Sequence, residues 1–388
     1  MNCQTESVTD ADTLPIDTPV EPLQDSRARA IRRRRNSFRA YAPPAKAMGS
    51  IPKAWSMAAR NTQMAPPELK PIIDWFYAAD DIRDRFRWAL RDSLDELLDG
   101  QRTGRWAYQH LSKTEKTYLG TAVEVNLTKE FEIDGGVDLD WRIAGIDVDC
   151  KFSKDLGGWE IPMEMYLCDA HGDLQGKADH PALLTWMDDD HSLWAAGLIT
   201  ITDERLRWKV NKTTGERVRA YNRDNKRRLN ESSSAGVYWL WGGMQNDLPR
   251  NLLLRMRPEA RSRIFSAPRS GQMRVDLLFR ELQNTIVGRQ TVVTVAQQDD
   301  APKRARDARL HLRGEGILVL GHQESHPVVA RALGLPVPVK GEWISVRVVP
   351  VGSTDDRPSV AINGQLWARA REGEPITPAP ELPKSLPS

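Results

Sequence analysis

Two aspartates and a lysine set the chemical question in this chain. Across residues 137–151 apolar and charged side chains alternate on either side of Ala144-Gly145, a dipeptide suited to a tight turn between two strands. Folding the segment about that turn pairs Arg142 with Asp147, Trp141 with Val148, Asp140 with Asp149 and Asp138 with Lys151. Strand side chains alternate between faces, so Leu139, Trp141, Ile143, Ile146, Val148 and Cys150 fall on one side and the charged set on the other. Arg142 opposite Asp147 is a sensible ion pair, but Asp140 opposite Asp149 places like charges side by side, which is unfavourable without a cation between them. Mg²⁺ takes hard oxygen ligands and needs only one or two carboxylates beside water and a phosphate. With Lys151 two residues beyond Asp149, the parts suit metal-assisted phosphodiester hydrolysis: a Lewis acid, an activated water and a fixed cation for the developing charge. The pattern D-x₈-D-x-K is short, and an exposed hairpin with a charged outer face would also produce it.

The elements around the hairpin decide between those readings. Leu119, Val123, Leu127 and Phe131 recur at helical spacing over 113–130. Glu124 sits beside that apolar stripe, where a buried acid needs a partner, and is a third candidate acid. The competing reading pairs it with Lys116 or Lys129 on the helix flank. Upstream, 69–98 reads as helices stopped by Gly100. Downstream, strands or buried segments are expected at 159–167 and 193–201, with Asp188 to Asp190 a polar loop between them. Residues 203–234 are rich in Arg, Lys and Asn and lead to Gly242-Gly243, which with the polar residues up to Pro249 forms a candidate linker. The second half holds helical segments at 274–287 and 291–298, a basic segment at 303–313 and strand-like runs at 316–320 and 343–350. Two helices followed by Lys303, Arg304, Arg306 and Arg309 resemble a helix-turn-helix with a basic recognition segment for DNA; the plainer alternative is a solvated basic helix.

At 388 residues the chain exceeds one ordinary core and fits two domains plus tails. Hydrophobic content of 40% with 28% charged residues suits a soluble protein; no apolar run can span a bilayer, no secretory signal opens the chain, and a cytoplasmic location is expected. Cys3, Cys150 and Cys168 are too few for a disulfide framework. The net charge of +2 conceals two blocks: residues 1–25 carry six acids and no Lys or Arg, whereas 26–46 carry Arg27, Arg29, Arg32 to Arg35, Arg39 and Lys46 and no acid. Such an arm could follow a phosphate backbone or simply stay solvated. The expected division is a disordered arm (1–65), a cleavage domain (66–241), a linker (242–250), a DNA-binding domain (251–375) and a Pro-rich disordered tail (376–388).

Other constellations are weak. Cys168, His171, His180 and His191 lack the second paired arm of a structural zinc site. Gly314-Glu315-Gly316 lacks the third glycine of a nucleotide loop, and most of the 13 Trp residues fall at apolar-periodic positions where core packing explains them.

The strings LDELLDGQRTGRW, KTEKTYLGTAVEVNL and WRIAGIDVDCKFS, followed in the second half by IFSA, VTVAQQDD, GHQ and LGLPVP, closely resemble the NaeI family of type IIE restriction endonucleases. The resemblance covers roughly 85–155 and 251–375, with 156–250 matching weakly and looking expanded. It implies an α/β restriction-endonuclease-like domain with a PD-(D/E)xK core, followed by an α+β winged, CAP-like helix-turn-helix domain. It also implies a homodimer on double-stranded DNA, with two copies of a palindromic, GC-rich site per dimer; one is cleaved and the other acts as allosteric activator. Mg²⁺ is the implied cofactor, Glu124, Asp140, Asp149 and Lys151 the implied catalytic residues, and Asp140, Asp149 and the backbone carbonyl of Cys150 the implied metal ligands. Leu97-Leu98-Asp99-Gly100-Gln101-Arg102 resembles the KxDGxR signature of DNA ligases, with Leu97 in place of the nucleophilic lysine ahead of Asp99, Gly100 and Arg102. Without that amine no covalent adenylate forms, so cutting rather than rejoining is expected. Two rivals remain: a helix-turn-helix regulator that leaves DNA intact, and a repair-type enzyme that nicks one strand. Dependence on divalent metal separates the first, and dimerisation on a palindromic site the second.

Overall fold

A mixed sheet of six described strands organises the first half. The structure is a computed structural model that describes residues 51–60, 64–78, 80–166, 179–266 and 270–385. Across the sheet lie β1 (Asp134–Gly135), β2 (Trp141–Ile143), β3 (Ile146–Ser153), β4 (Pro181–Asp188), β5 (Leu193–Thr200) and β6 (Tyr238–Trp239). Of these pairings β3–β4 is parallel and the rest antiparallel. One face packs against α1 (Ile82–Leu98) and α2 (Lys113–Phe131), where Phe86, Leu90, Leu119, Val123 and Leu127 meet Trp141, Val148 and Leu183. The other face is covered by Trp159, Leu206, Leu229 and Val237 over Ala182, Leu184 and Ile199. α2 starts at a reciprocal capping box between Ser112 and Glu115, which satisfies two of the backbone N–H groups that a helix start leaves open.

Every residue of β4 is buried, so it lacks the alternation by which strands are usually read; the sequence expectation of strands at 159–167 and 193–201 passed over it. In the described part of the expected strand or buried segment at 159–167, Glu160–Pro162 is a strand and Trp159, Ile161, Met165 and Tyr166 are buried. Asp189 and Asp190 form the polar turn expected between strands, with Asp188 ending β4, but Asp188 and Asp189 are 3% and 2% exposed, and Asp189 binds the buried Arg91 at 2.5 Å. Two further expectations are corrected. Residues 51–60, assigned to the disordered arm, include the helix Lys53–Ala58, anchored by Trp55 against Trp159 with ring centroids 5.4 Å apart. Residues 242–250 are not a free tether: Gln245 and Trp194 exchange backbone hydrogen bonds, Asp247 accepts from Arg83 and Trp194, and Leu248 is buried. The acidic block and the basic block at 27–46 lie outside the described residues.

In the second half α3 (Gly271–Glu281), β7 (Ile286–Gly288), α4 (Arg289–Ala296), α5 (Ala301–Leu312), β8 (Ile317–Leu320), β9 (Glu342–Val351), β10 (Ser359–Ile362) and β11 (Gln365–Arg369) follow in order. β9 is central, pairing with β7, β8 and β11, and β11 pairs with β10. The helix expected over 274–287 stops at Glu281; Asn284 takes a left-handed conformation at φ 61° and Val287 enters β7. The described part of the Pro-rich tail is docked rather than disordered, since Ala379 is 2% exposed and exchanges two hydrogen bonds with Arg313. The two halves interlock: Trp106 and Ala107 join the core of α3, α4 and α5, and a Cβ on Gly100 would collide with Thr294 of α4. Among the described residues no helix is long and apolar enough to cross a membrane.

Candidate active site

The hairpin register agrees with the expectation for its inner rungs: Ile143 pairs with Ile146, Arg142 with Asp147 and Trp141 with Val148. Ala144 at φ 51° and Gly145 at φ 80° form the turn, whose left-handed residues match the twist of the flanking strands. Beyond Trp141 the ladder ends and the chain bends over 137–140. Asp147 fixes that bend. Its Oδ2 accepts from the backbone N–H groups of Val137 and Asp138, both at 2.8 Å, and its Oδ1 accepts from Arg142 at 2.8 Å. Burial acts to raise the Asp147 pKa, but these donors outweigh it and hold the carboxyl below its ordinary range.

The outer rungs therefore differ from the expected pairs. Asp138 is exposed and makes no cross-strand pair with Lys151, and Leu139 is only half-buried. Asp140 arrives from the bend, its Oδ2 accepting from the backbone N–H of Cys150 at 2.8 Å. Lys151 turns toward Asp149 instead: its ammonium contacts Asp149 Oδ2, lies 3.9 Å from Asp140 Oδ2 and donates to the Cys150 carbonyl at 3.4 Å. Three oxygens thus converge on one cation. The Cys150 thiol points into the core, where burial pushes its pKa well up, so only its backbone faces the cluster.

Asp149 is 5% exposed, and burial pushes its carboxyl up to about 7 against the pull of Lys151. Its Oδ2 has charge contact with Lys151 but no partner in hydrogen-bond geometry. Lys151 is itself disfavoured by burial, yet Asp149 beside it leaves the ammonium pKa raised. Glu124, half-buried on α2, is raised by burial and by Asp140 and lowered by Lys151, so it shares the field of the cluster. Among the described residues no ion pair joins it to Lys116 or Lys129; Lys116 lies over the Tyr108 ring instead.

This donor set fits a small hard cation. A buried carboxylate oxygen without a directed donor, a second carboxylate and a backbone carbonyl already focus on one positive charge. Among the described residues no group of three or more His, Cys, Asp or Glu side chains has metal-binding geometry, so water and substrate oxygens would complete any coordination sphere.

Other expected residues scatter. Lys303 and Arg306 are exposed on α5, whereas Arg304 turns to Gln272 and Asp307, and Arg309 donates to the Val319 carbonyl at 2.7 Å in a setting that lowers its pKa by burial. In the ligase-like motif Leu97 packs on the first core, Asp99 ends α1 at φ 46° and pairs with Arg102 at 2.5 Å, and Gly100 abuts Thr294. Cys168 and His171 of the weak zinc arrangement lie outside the described residues, and His191 pairs with Asp188 at 2.6 Å. Sequence reading gave no role to the hairpin Trp208–Val210/Arg217–Arg219, although the signal was present: residues 205–228 hold ten Lys or Arg and two acids.

Comparison with known proteins identifies the family that this chain matches. The family model described as "Restriction endonuclease NaeI" matches residues 71–378, a range that includes 156–250, where the short strings gave little. The Type II restriction enzyme NaeI of Lentzea aerocolonigenes is 42% identical over 332 residues, covering 83% of this chain and 97% of that protein. With the match running through both halves and the acidic hairpin, this chain belongs to the NaeI family of restriction endonucleases.

Proposed function

We propose that the chain is a Mg²⁺-dependent type IIE restriction endonuclease that makes double-strand cuts at a palindromic, GC-rich site. The observation that carries the reading is the convergence of Asp140 Oδ2, Asp149 Oδ2 and the Cys150 carbonyl on the Lys151 ammonium, beside Glu124. When bound, Mg²⁺ supplies Lewis-acid charge at the scissile phosphate. Asp140, Asp149 and the Cys150 carbonyl would hold it, and the Asp140 bond to the Cys150 N–H fixes the carboxylate that would otherwise swing with the bend. Lys151 keeps a positive charge on the strand for the charge developing at phosphorus, and Glu124 adds a third acid within the field of Asp140. Water attacks phosphorus and the 3′ oxygen leaves, giving 5′-phosphate and 3′-hydroxyl ends.

The further properties form part of the same proposal: a cytoplasmic homodimer, a cleavage domain up to about 241 and a DNA-binding domain from about 251, and activation by a second bound copy of the site. Support for the second domain comes from α4 and α5, joined across residues 297–300 with Gln297 left-handed at φ 52°, followed by the antiparallel pair β8–β9. That order suits a winged helix-turn-helix, with Lys303 and Arg306 as its exposed cations.

The test is incubation of supercoiled plasmids carrying varied palindromes with Mg²⁺ or EDTA, for the native protein and Asp149→Ala, with sequencing of the ends. Discrete Mg²⁺-dependent linear products, absent with the variant, are expected. Nicked circles alone would favour the repair-type reading, and site-specific retention without cleavage under any divalent ion would favour a regulator. Stimulation of a one-site plasmid by a short duplex carrying the site checks the activator copy.

A further inference from the structure

The hairpin Trp208–Val210/Arg217–Arg219 belongs to a basic insert between β5 and β6 whose cations divide into two kinds. Some hold the insert together. Arg227, fully buried, and Arg219 both bind the Asp203 carboxylate, and both guanidinium groups lie over the Trp208 ring, at 4.9 and 5.5 Å. Arg228 pairs with Glu160, Arg207 donates to the Leu229 carbonyl and Arg205 to that of Thr200. Lys209, Lys212 and Arg217 are different: all three are exposed, and among the described residues none has a carboxylate partner.

Position and direction give these three a common use. Asp149 is opposite Ala182, and Ala182 opposite Ile199, so the root of the insert leaves the sheet two strands from Asp149, about 10 Å along the row. Asp149 and Lys151 share the sheet face of Ala182 and Leu184, which is the face that Leu206 and Leu229 of the insert cover. The hairpin is therefore rooted on the acidic cluster's side of the sheet. Its pairs are Trp208 with Arg219, Lys209 with Val218 and Val210 with Arg217. Alternation puts Arg217 on one face of the ribbon and Lys209 on the other, with Lys212 at the tip. The tip is already ordered: Asn211 exchanges backbone bonds with Gly215 and Glu216, and its side chain accepts from Thr213. Trp208 fixes Arg217 at 4.5 Å while leaving its donor edges open.

We propose that this ribbon enters the major groove of the duplex being cut, tip first, with Lys209 and Arg217 on the phosphates of opposite walls and Lys212 deepest. The proposal rests on the nuclease reading above and adds the element that seats the cleaved copy. A two-stranded ribbon, with strands about 4.8 Å apart, fits a groove roughly 12 Å wide and 8.5 Å deep. Cations on both faces match two phosphate walls, where one flat interface would need them on one face only.

The experiment compares the full-length native chain with Lys209→Ala/Lys212→Ala/Arg217→Ala. Equilibrium binding to a linear duplex carrying the palindrome is measured from 50 to 200 mM NaCl, with cleavage rates in Mg²⁺ alongside. Each lost phosphate contact flattens the log–log salt slope by about 0.9, so a change of about 2 to 3 is expected. KM should rise on the order of 10- to 100-fold at the higher salt, with kcat within about twofold, since none of the three residues belongs to the acidic cluster. Lys209→Arg/Lys212→Arg should keep the native slope. An unchanged slope and KM in the alanine variant would overturn the proposal. So would a fall in molecular mass by light scattering with the slope intact, which would make the ribbon a subunit contact. A native chain that binds but never cuts sinks the nuclease reading alone, because the slope comparison still reports on the ribbon.

Discussion

Two buried charge clusters in the first half have opposite designs. At the boundary between the halves Arg91, 3% exposed, gives one guanidinium nitrogen to Asp189 at 2.5 Å and another to Asp95 at 2.6 Å. Burial disfavours that charge, but Asp189 and Asp95 hold it firmly protonated. The group left without a partner there is a donor, Arg91 Nε, which no cation could use. At β3 one cation, Lys151, faces Asp140 and Asp149 with Glu124 nearby, and the group without a directed hydrogen bond is an acceptor, Asp149 Oδ2, held only by its contact with that one ammonium. The first arrangement closes on itself, and Asn251 of the second half reaches it only through Asp189, at 3.4 Å. The second is short of positive charge and of a donor, which is the state that a divalent ion relieves.

Substitutions should separate the two. Asp149→Ala should lower Mg²⁺-dependent cleavage by on the order of 10³-fold while leaving the urea midpoint near the native value, since it removes a buried carboxylate that folding disfavours in its charged form. A variant that still cuts at more than a tenth of the native rate would remove β3 from the chemistry. Arg91→Met should do the reverse. It strands Asp189 in the interior and should cost about 3–5 kcal/mol in urea unfolding, with kcat per folded molecule little changed. A midpoint within experimental error of the native one would mean that the cluster contributes nothing to the stability of the first half.

Titration sharpens the contrast. Folding holds a proton on Asp149 more tightly than the unfolded chain does, so its contribution to metal-free stability is full below about pH 4 and is lost as pH rises through about 7. Metal binding needs the ionised carboxylate. Initial cleavage rates at subsaturating Mg²⁺ should therefore rise about tenfold per pH unit below 7 and level off above it, with Mg²⁺ restoring stability lost in the alkaline range. A flat profile between pH 5.5 and 7 would show that Asp149 is ionised throughout.

What the sequence disclosed follows from how local each constraint is. The hairpin register was legible because a two-residue turn and period-two alternation fix it within ten residues. The arrival of Asp140 from a bend was not, because the ladder ends where Asp147 captures the N–H groups of Val137 and Asp138, and nothing in the strand pattern announces that. The turn holding Asp189 was legible, but its burial was not, because its partner Arg91 lies 98 positions away. β4 was hidden by being apolar at both faces, and Trp55 by sitting alone in a Pro- and Ala-rich stretch. The basic helix was legible as a charge run, but only packing could divide it into exposed Lys303 and Arg306 and engaged Arg304 and Arg309.

The smallest effect expected comes from Asp147, two residues before Asp149 on the same strand. Its carboxylate is saturated by two backbone N–H groups and Arg142, so it offers little to a metal and serves to hold the bend that delivers Asp140. Because its pKa is depressed, its contribution to stability is present above the ordinary aspartate range and lost as pH falls through the lowered value. Asp147→Asn keeps the shape but exchanges one acceptor for a donor, and should cost about 1–3 kcal/mol near neutral pH, with the deficit shrinking in acid. Cleavage should fall through a weaker apparent affinity for Mg²⁺, recovering at high Mg²⁺, as expected when Asp140 is loosened rather than removed. If kcat at saturating Mg²⁺ instead dropped as far as in Asp149→Ala, Asp147 would belong to the chemistry, and the division of β3 into a holding aspartate and a reacting one would be wrong.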